Sequence, residues 1–238
     1  MCGRFTLSTD AQFLSDYFDL DRVPAGFEQR FNIAPGQSIA TIRQVRGVGR
    51  ELDFTHWGLI PSWADSMKIA NHLINARAET VADKPAFRSA FRRKRCLIPA
   101  DGFYEWQQTA QGKQPYWIGL PDRTPIGFAG LWAHWEPKDG SGVVESCTIL
   151  TTTANEQMKP YHDRMPVILQ PDAFAAWLDP EEQRADQVKQ ILQPFVGELQ
   201  IYPVSRDVNS PLKDNHHLID RLNDSVTDGL HSAGKERI

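Results

Sequence analysis

The chain has 238 residues, 41% of them apolar and 24% charged, with 16 Gly and 16 Pro, the make-up of a protein with a real core rather than of a disordered or fibrous one. No apolar run approaches the ~20 residues of a spanning helix, and the first ten residues hold no signal-like apolar stretch, so a cytoplasmic location is expected. The net charge of −4 is uneven: residues 1–100 hold 14 Lys/Arg against 10 Asp/Glu, and residues 101–238 hold 12 against 20, which permits a polyanionic partner without requiring one.

In chain order, Phe13, Leu14, Tyr17 and Phe18 recur at helical spacing over residues 10–18, behind caps at Ser8 and Thr9. Arg30-Phe-Asn-Ile-Ala-Pro-Gly36 reads as a loop. Residues 38–45 and 51–57 read as paired strands around the Arg46-Gly-Val-Gly49 turn. A helix fits residues 84–93, with Asp83 as N-cap and Pro85 in the first turn. From Cys96 onward the texture is strand and turn, with strands at 96–98, 102–107, 115–120, 126–135 and 143–152. Helices follow at 171–178 and 181–192, then a strand at 199–204. With no internal repeat and no linker, this predicts a single α+β domain over residues 2–220 with a largely antiparallel sheet, and a flexible polar tail over 221–238.

Cys2, Cys96 and Cys147 make an odd count with no C-x-x-C spacing, which points away from a disulfide framework and from structural zinc. No metal or cofactor is expected. Initiator Met is removed before small second residues, which would leave Cys2 as a 1,2-aminothiol. Thiol and α-amine both titrate near neutrality. With an aldehyde, the amine forms an imine and the thiol closes a thiazolidine; with an amide, the thiolate attacks and the amine serves as base. The plain alternative is a small residue that follows Met.

Glu105, in Ala100-Asp-Gly-Phe-Tyr-Glu-Trp106, is either a solvent-facing strand residue or a desolvated acid suited to proton transfer. Asn75 and Arg77 are co-facial if extended, an amide to orient a nucleophile and a guanidinium to hold an anion, or else a strand end with a salt bridge to Glu79. His162 and Arg164 pair a proton carrier with an anion contact in the same way. Arg4 and the basic run Arg88, Arg92, Arg93, Lys94 and Arg95 offer phosphate contacts or a solvated helix end. Trp57 and Trp63, around a Gly/Pro-shaped turn, could stack an unpaired base or pack a core.

Taken together, Met1-Cys-Gly-Arg-Phe5, Phe31-Asn-Ile-Ala-Pro-Gly36, Trp57-Gly-Leu-Ile-Pro-Ser-Trp63, Ile74-Asn-Ala-Arg-Ala-Glu-Thr80, Arg95-Cys-Leu-Ile-Pro-Ala-Asp-Gly-Phe-Tyr-Glu-Trp106, His162-Asp-Arg-Met-Pro166 and Pro203-Val-Ser-Arg-Asp-Val-Asn209 resemble the SOS-response-associated peptidase family, whose members are also called abasic site processing proteins. The resemblance runs in order from Cys2 to about Ile219. It implies a twisted, antiparallel, barrel-like β core with flanking helices. It also implies that mature Cys2 captures the aldehyde of an abasic site in single-stranded DNA, including single-strand/double-strand junctions, as a thiazolidine that is open to reversal. Asn75 would orient Cys2, Glu105 and His162 would move protons, and Arg4, Arg77 and Arg164 would hold phosphates. The Asn-x-Ala-Pro-Gly loop would put Asn32 and Pro35 beside the reaction site, as a wedge against the stacked strand, and Trp57 and Trp63, the candidate stacking platforms, join them as DNA-binding candidates. The implied protein is a monomer, nucleoid-associated during DNA damage in a bacterium. Release of its own Met1 and weak lyase activity would accompany capture. Two rivals stay open: an N-terminal-nucleophile amidohydrolase or peptidase, and a binding module in which Cys2 is incidental.

Overall fold

The computed structural model describes residues 2–140, 142–182 and 184–222. Its elements are β1 (Phe5–Leu7), α1 (Ala11–Phe18), β2 (Arg30–Ile33), β3 (Ser38–Val45), β4 (Gly49–Trp57), β5 (Asn75–Arg77), α2 (Arg88–Arg93), β6 (Arg95–Ala100), β7 (Gly102–Thr109), β8 (Gly112–Gly119), β9 (Ile126–Trp135), β10 (Val144–Thr153), β11 (Arg164–Pro166), β12 (Ile168–Leu169), α3 (Phe174–Leu178), α4 (Ala185–Gln190) and β13 (Gln200–Pro203). The class is α+β, as expected.

Five strands close a ring. β4 pairs β3, β3 pairs β6, β6 pairs β9, β9 pairs β10, and β10 returns to β4. The closing pair is parallel, with Ser146 opposite His56 and Cys147 opposite Trp57, so the barrel is mixed where the sequence suggested antiparallel pairing. The β3–β4 hairpin turns where Val45 faces Gly49, and Gly47 and Gly49 take the positive φ (79° and 125°) that such a tight turn demands. β5 adds to β10 in parallel and β11 adds to it antiparallel.

A second sheet, ordered β13-β8-β7-β1-β2, lies against this barrel. The period-2 alternation of Phe103-Tyr104 divides its two faces. Phe5 and Phe103 each meet Phe128 at 6.0 Å, and Phe5 meets Trp57 edge-on at 5.2 Å. Tyr104, Trp117 and Tyr202 form a separate cluster covered by Val204, Val208 and Leu218.

Several local expectations change. The N-cap of α1 is Asp10, whose carboxylate accepts the Phe13 N–H at 2.9 Å; the Ser8 and Thr9 hydroxyls bind the buried Asp101 carboxylate instead, at 2.6 and 2.5 Å. Asp83 does not cap α2, which starts only at Arg88. Residues 30–33 form a strand because Phe5 and Leu7 offer β1 as partner. The helix expected over 181–192 contracts to α4. Arg95 is no phosphate contact: it is buried, and its guanidinium donates to the carbonyls of Phe91, Arg92, Trp177, Asp179 and Glu182. Among the described residues no helix is long and apolar enough to cross a membrane. The tail expected over 221–238 lies, from residue 223 on, outside the described residues.

Candidate active site

β1 and β7 bring the start of the chain to Glu105. Phe5 faces Phe103, and the Tyr104 N–H donates to the Arg4 carbonyl at 2.9 Å, carrying residues 2–4 along β7. Cys2 is completely buried within the main core. Burial pushes its thiol well above the ordinary range and the neighbouring Glu105 charge adds to this, while the chain's terminal amine and a hydrogen bond from the Arg4 N–H work the other way. Cys2 is therefore a thiol in need of a base.

Asn75 arrives from another direction. Parallel pairing sets it opposite Ile149 of β10, and its Nδ2 donates to the Cys2 carbonyl at 2.8 Å. Its Oδ1 is buried without a hydrogen-bond partner among the described residues, an acceptor left for an incoming group.

Glu105 is only 4% exposed. Burial pushes its carboxyl up to about 7, against the pull of the positive charge that the unprocessed chain carries at Met1. His162 sits just before β11. Its Nδ1 accepts the Arg164 N–H at 2.9 Å and lies 2.7 Å from the Asp163 carboxylate. Bare, that nitrogen accepts from the backbone; protonated, it has an acid to donate to. Burial, then the positive charge at the chain's start, hold the imidazolium pKa below its usual value, which favours the neutral, proton-accepting ring. Glu105 and His162 face one open cavity of about 510 Å³, together with Trp106, Lys113 and Asn209. The last three had been given no role in the sequence. Asn209 belongs to a motif already singled out there, and its Oδ1 accepts the Trp106 indole N–H at 2.7 Å.

Arg4 reaches over this wall: Nη1 donates to Asn32 Oδ1 and to the Val208 carbonyl, both at 2.7 Å, and the guanidinium lies 5.9 Å from the Trp106 ring. Asn32 is fully buried. Its amide donates to the carbonyls of Val208, Ser210 and Lys213 at 3.3, 3.0 and 2.6 Å. Asn32 thus positions Arg4 and residues 208–213, which corrects its expected place as a DNA contact. Trp57 is likewise corrected, being fully buried with its indole N–H donated to the Ile74 carbonyl at 2.9 Å. Pro35 is exposed and Trp63 is 57% exposed. Arg77 is exposed opposite Thr151, whose carbonyl accepts Arg164 Nη2 at 2.6 Å. The salt bridge foreseen between Arg77 and Glu79 is made by Arg164, with Nη1 and Nη2 at 2.7 and 2.9 Å from the two carboxylate oxygens.

Comparison with known proteins adds the following. The family model described as SOS response associated peptidase (SRAP) matches residues 1–211. The abasic site processing protein YoaM of Bacillus subtilis is 43% identical over 227 residues, covering 94% of this chain and 99% of that protein. The abasic site processing protein HMCES of Xenopus tropicalis is 36% identical over 183 residues, 68% of this chain and 54% of its own. A crystal structure of a protein from Bacteroides thetaiotaomicron superimposes with a TM-score of 0.83 at 26% identity, over 93% of this chain and all of that one.

Proposed function

Because the chain belongs to the SOS response associated peptidase family, we propose that it processes abasic sites in DNA, capturing the ring-opened aldehyde in a single strand as a thiazolidine on Cys2 once Met1 is removed. The observation that carries this reading is the convergence on Cys2 of an orienting amide, Asn75, with a buried carboxyl, Glu105, that titrates near neutrality.

The reaction balances without a redox partner. The Cys2 amine adds to the aldehyde carbon, and the carbinolamine loses water to give an imine. The thiol sulfur then adds to the same carbon while its proton ends on the nitrogen, so aldehyde and aminothiol give thiazolidine and one water. Glu105, poised at about 7, in its acid form protonates the departing hydroxyl and recovers the proton the amine gives up, and at ring closure it takes the proton from a thiol that burial keeps protonated and passes it to the nitrogen. His162, on the cavity wall with burial favouring its neutral form, exchanges protons with the sugar during ring opening and reversal. Arg4, Arg77 and Arg164 hold flanking phosphates, and Pro35 and the exposed Trp63 meet the strand beside the lesion. Ring closure removes the imine that invites β-elimination, so the strand is protected; a lingering imine accounts for weak lyase activity. Release of Met1 by the chain itself would use the same thiol and carboxyl. Extrusion of the lesion favours single strands and junctions over continuous duplex. A monomer suffices, since every group named belongs to one chain.

The test is a denaturing gel of the protein mixed with a single-stranded oligonucleotide carrying one abasic site. A denaturation-resistant band that is absent with Cys2→Ala is expected. If no band forms although mass spectrometry finds a free N-terminal Cys2, the reading falls and amide hydrolysis becomes the activity to assay.

A further inference from the structure

Arg164 sits on a fork that is already occupied. Its Nη1 and Nη2 meet the two Glu79 oxygens at 2.7 and 2.9 Å, and Nη2 also donates to the Thr151 carbonyl at 2.6 Å. The Arg164 side chain is 12% exposed and that of Glu79 45%. Arg164 Nε is buried without a partner among the described residues, so nothing arriving from solvent reaches it, and the one further N–H, on Nη1, offers a single bond only. An incoming phosphate that takes this guanidinium in bidentate fashion must use the Nη edge that Glu79 now fills. Arg77, registered opposite the same Thr151, is close enough that its charge joins that of Arg164 in keeping Glu79 ionised.

We propose that Glu79 is a resident competitor for the strand phosphate: its carboxylate occupies the anion position between Arg164 and Arg77 in the free protein and is displaced when DNA binds. The inference rests on the reading of the chain as a DNA-binding protein. Its logic is an exchange of anions. A guanidinium as enclosed as that of Arg164 is costly to leave unpaired, so the free protein needs Glu79 there. Glu79 is on the exposed side of the pair and returns to water without a desolvation cost. Each strand pays for that exchange, so undamaged single strands are held weakly, while an abasic strand is retained by the covalent bond at Cys2.

The experiment is a titration of an undamaged single-stranded oligonucleotide, followed by fluorescence anisotropy at low salt, with the wild type, Glu79→Gln and Glu79→Ala. Both variants are expected to bind about threefold to tenfold tighter, the scale of one partly exposed ion pair, and to keep crosslinking the abasic oligonucleotide. Equal or weaker binding by the variants, with the wild type binding normally, overturns the proposal and makes Glu79 a residue that aligns Arg164 for phosphate. Absence of both binding and crosslinking in the wild type overturns the DNA reading itself, and this inference with it.

Discussion

The Asn75 amide donates to the carbonyl of Cys2 at 2.8 Å, joining residues 73 positions apart in the chain. A peptide at the start of a chain frays unless something ties it down, and here the tie is made by a strand registered on the barrel. Asn75→Ala removes that tie and is expected to slow adduct formation about tenfold, the scale of one net hydrogen bond in the barrier. Asn75→Asp is expected to be slower still, because a carboxylate would face the carbonyl oxygen. Timed quenching of the abasic oligonucleotide reaction measures both.

Burial raises the Glu105 carboxyl from 4.5 to about 7. A folded pKa above the unfolded one means the folded state binds more protons between those values, so stability is fullest below pH 4.5 and falls as pH rises through about 7. Glu105→Gln removes this loss and is expected to raise stability above pH 7 by up to about 3 kcal/mol while abolishing the limb near pH 7 in the crosslinking rate. Urea unfolding at pH 5 and pH 8 reads the first effect, and a pH–rate profile the second. A variant with unchanged slope in both would remove Glu105 as the titrating acid.

The two tryptophans of Trp57-Gly-Leu-Ile-Pro-Ser-Trp63 have opposite fates, buried against Phe5 and exposed. Trp57→Ala is expected to cost about 3–5 kcal/mol of stability through the cavity it leaves. Trp63→Ala is expected to change stability by less than about 0.5 kcal/mol and to weaken single-strand binding by about 1–3 kcal/mol if a base stacks there. Thermal melts paired with anisotropy separate them.

What was legible in the sequence follows from how local each signal is. The β3–β4 hairpin, β9 and α1 carry their own turn residues and periodicity. The residues that could surround an N-terminal thiol were named from their chemistry and from a family resemblance, yet no spacing could say that Asn75 would meet Cys2. β1, β2 and β5 are three or four residues long and exist only because partners from distant segments complete their hydrogen bonds. Exposure was the least legible property. Asn32 and Trp57 sit in the same motifs as residues at the surface, and only packing shows that one anchors a loop and the other fills the core. Lys113 and Asn209 reach the cavity wall through a strand pairing and a returning segment that no local pattern announces.

Arg95 carries the last prediction, because it is where the sequence most invited a nucleic-acid reading. It closes the run Arg92-Arg-Lys-Arg95, whose other members reach solvent or, for Lys94, the His134 ring at 2.9 Å. Arg95 instead turns inward, its guanidinium filling the space between α2, the end of α3 and the segment leading to α4, and donating to five carbonyls, of which those of Phe91 and Trp177 are fully buried bonds. Burial lowers its pKa, against the support of the Asp179 and Glu182 charges. Arg95→Met keeps the stem and loses every donor, so buried carbonyls are stranded and a loss of about 3–5 kcal/mol is expected, the range for breaking a buried charged network from one side. A DNA contact would behave differently: its removal would leave the melting temperature unmoved and shift the salt dependence of binding by about one phosphate. Measuring urea midpoints and the salt slope of single-strand binding on the same Arg95→Met preparation decides between the two. A lowered midpoint with an unchanged slope in the folded fraction is the expected result.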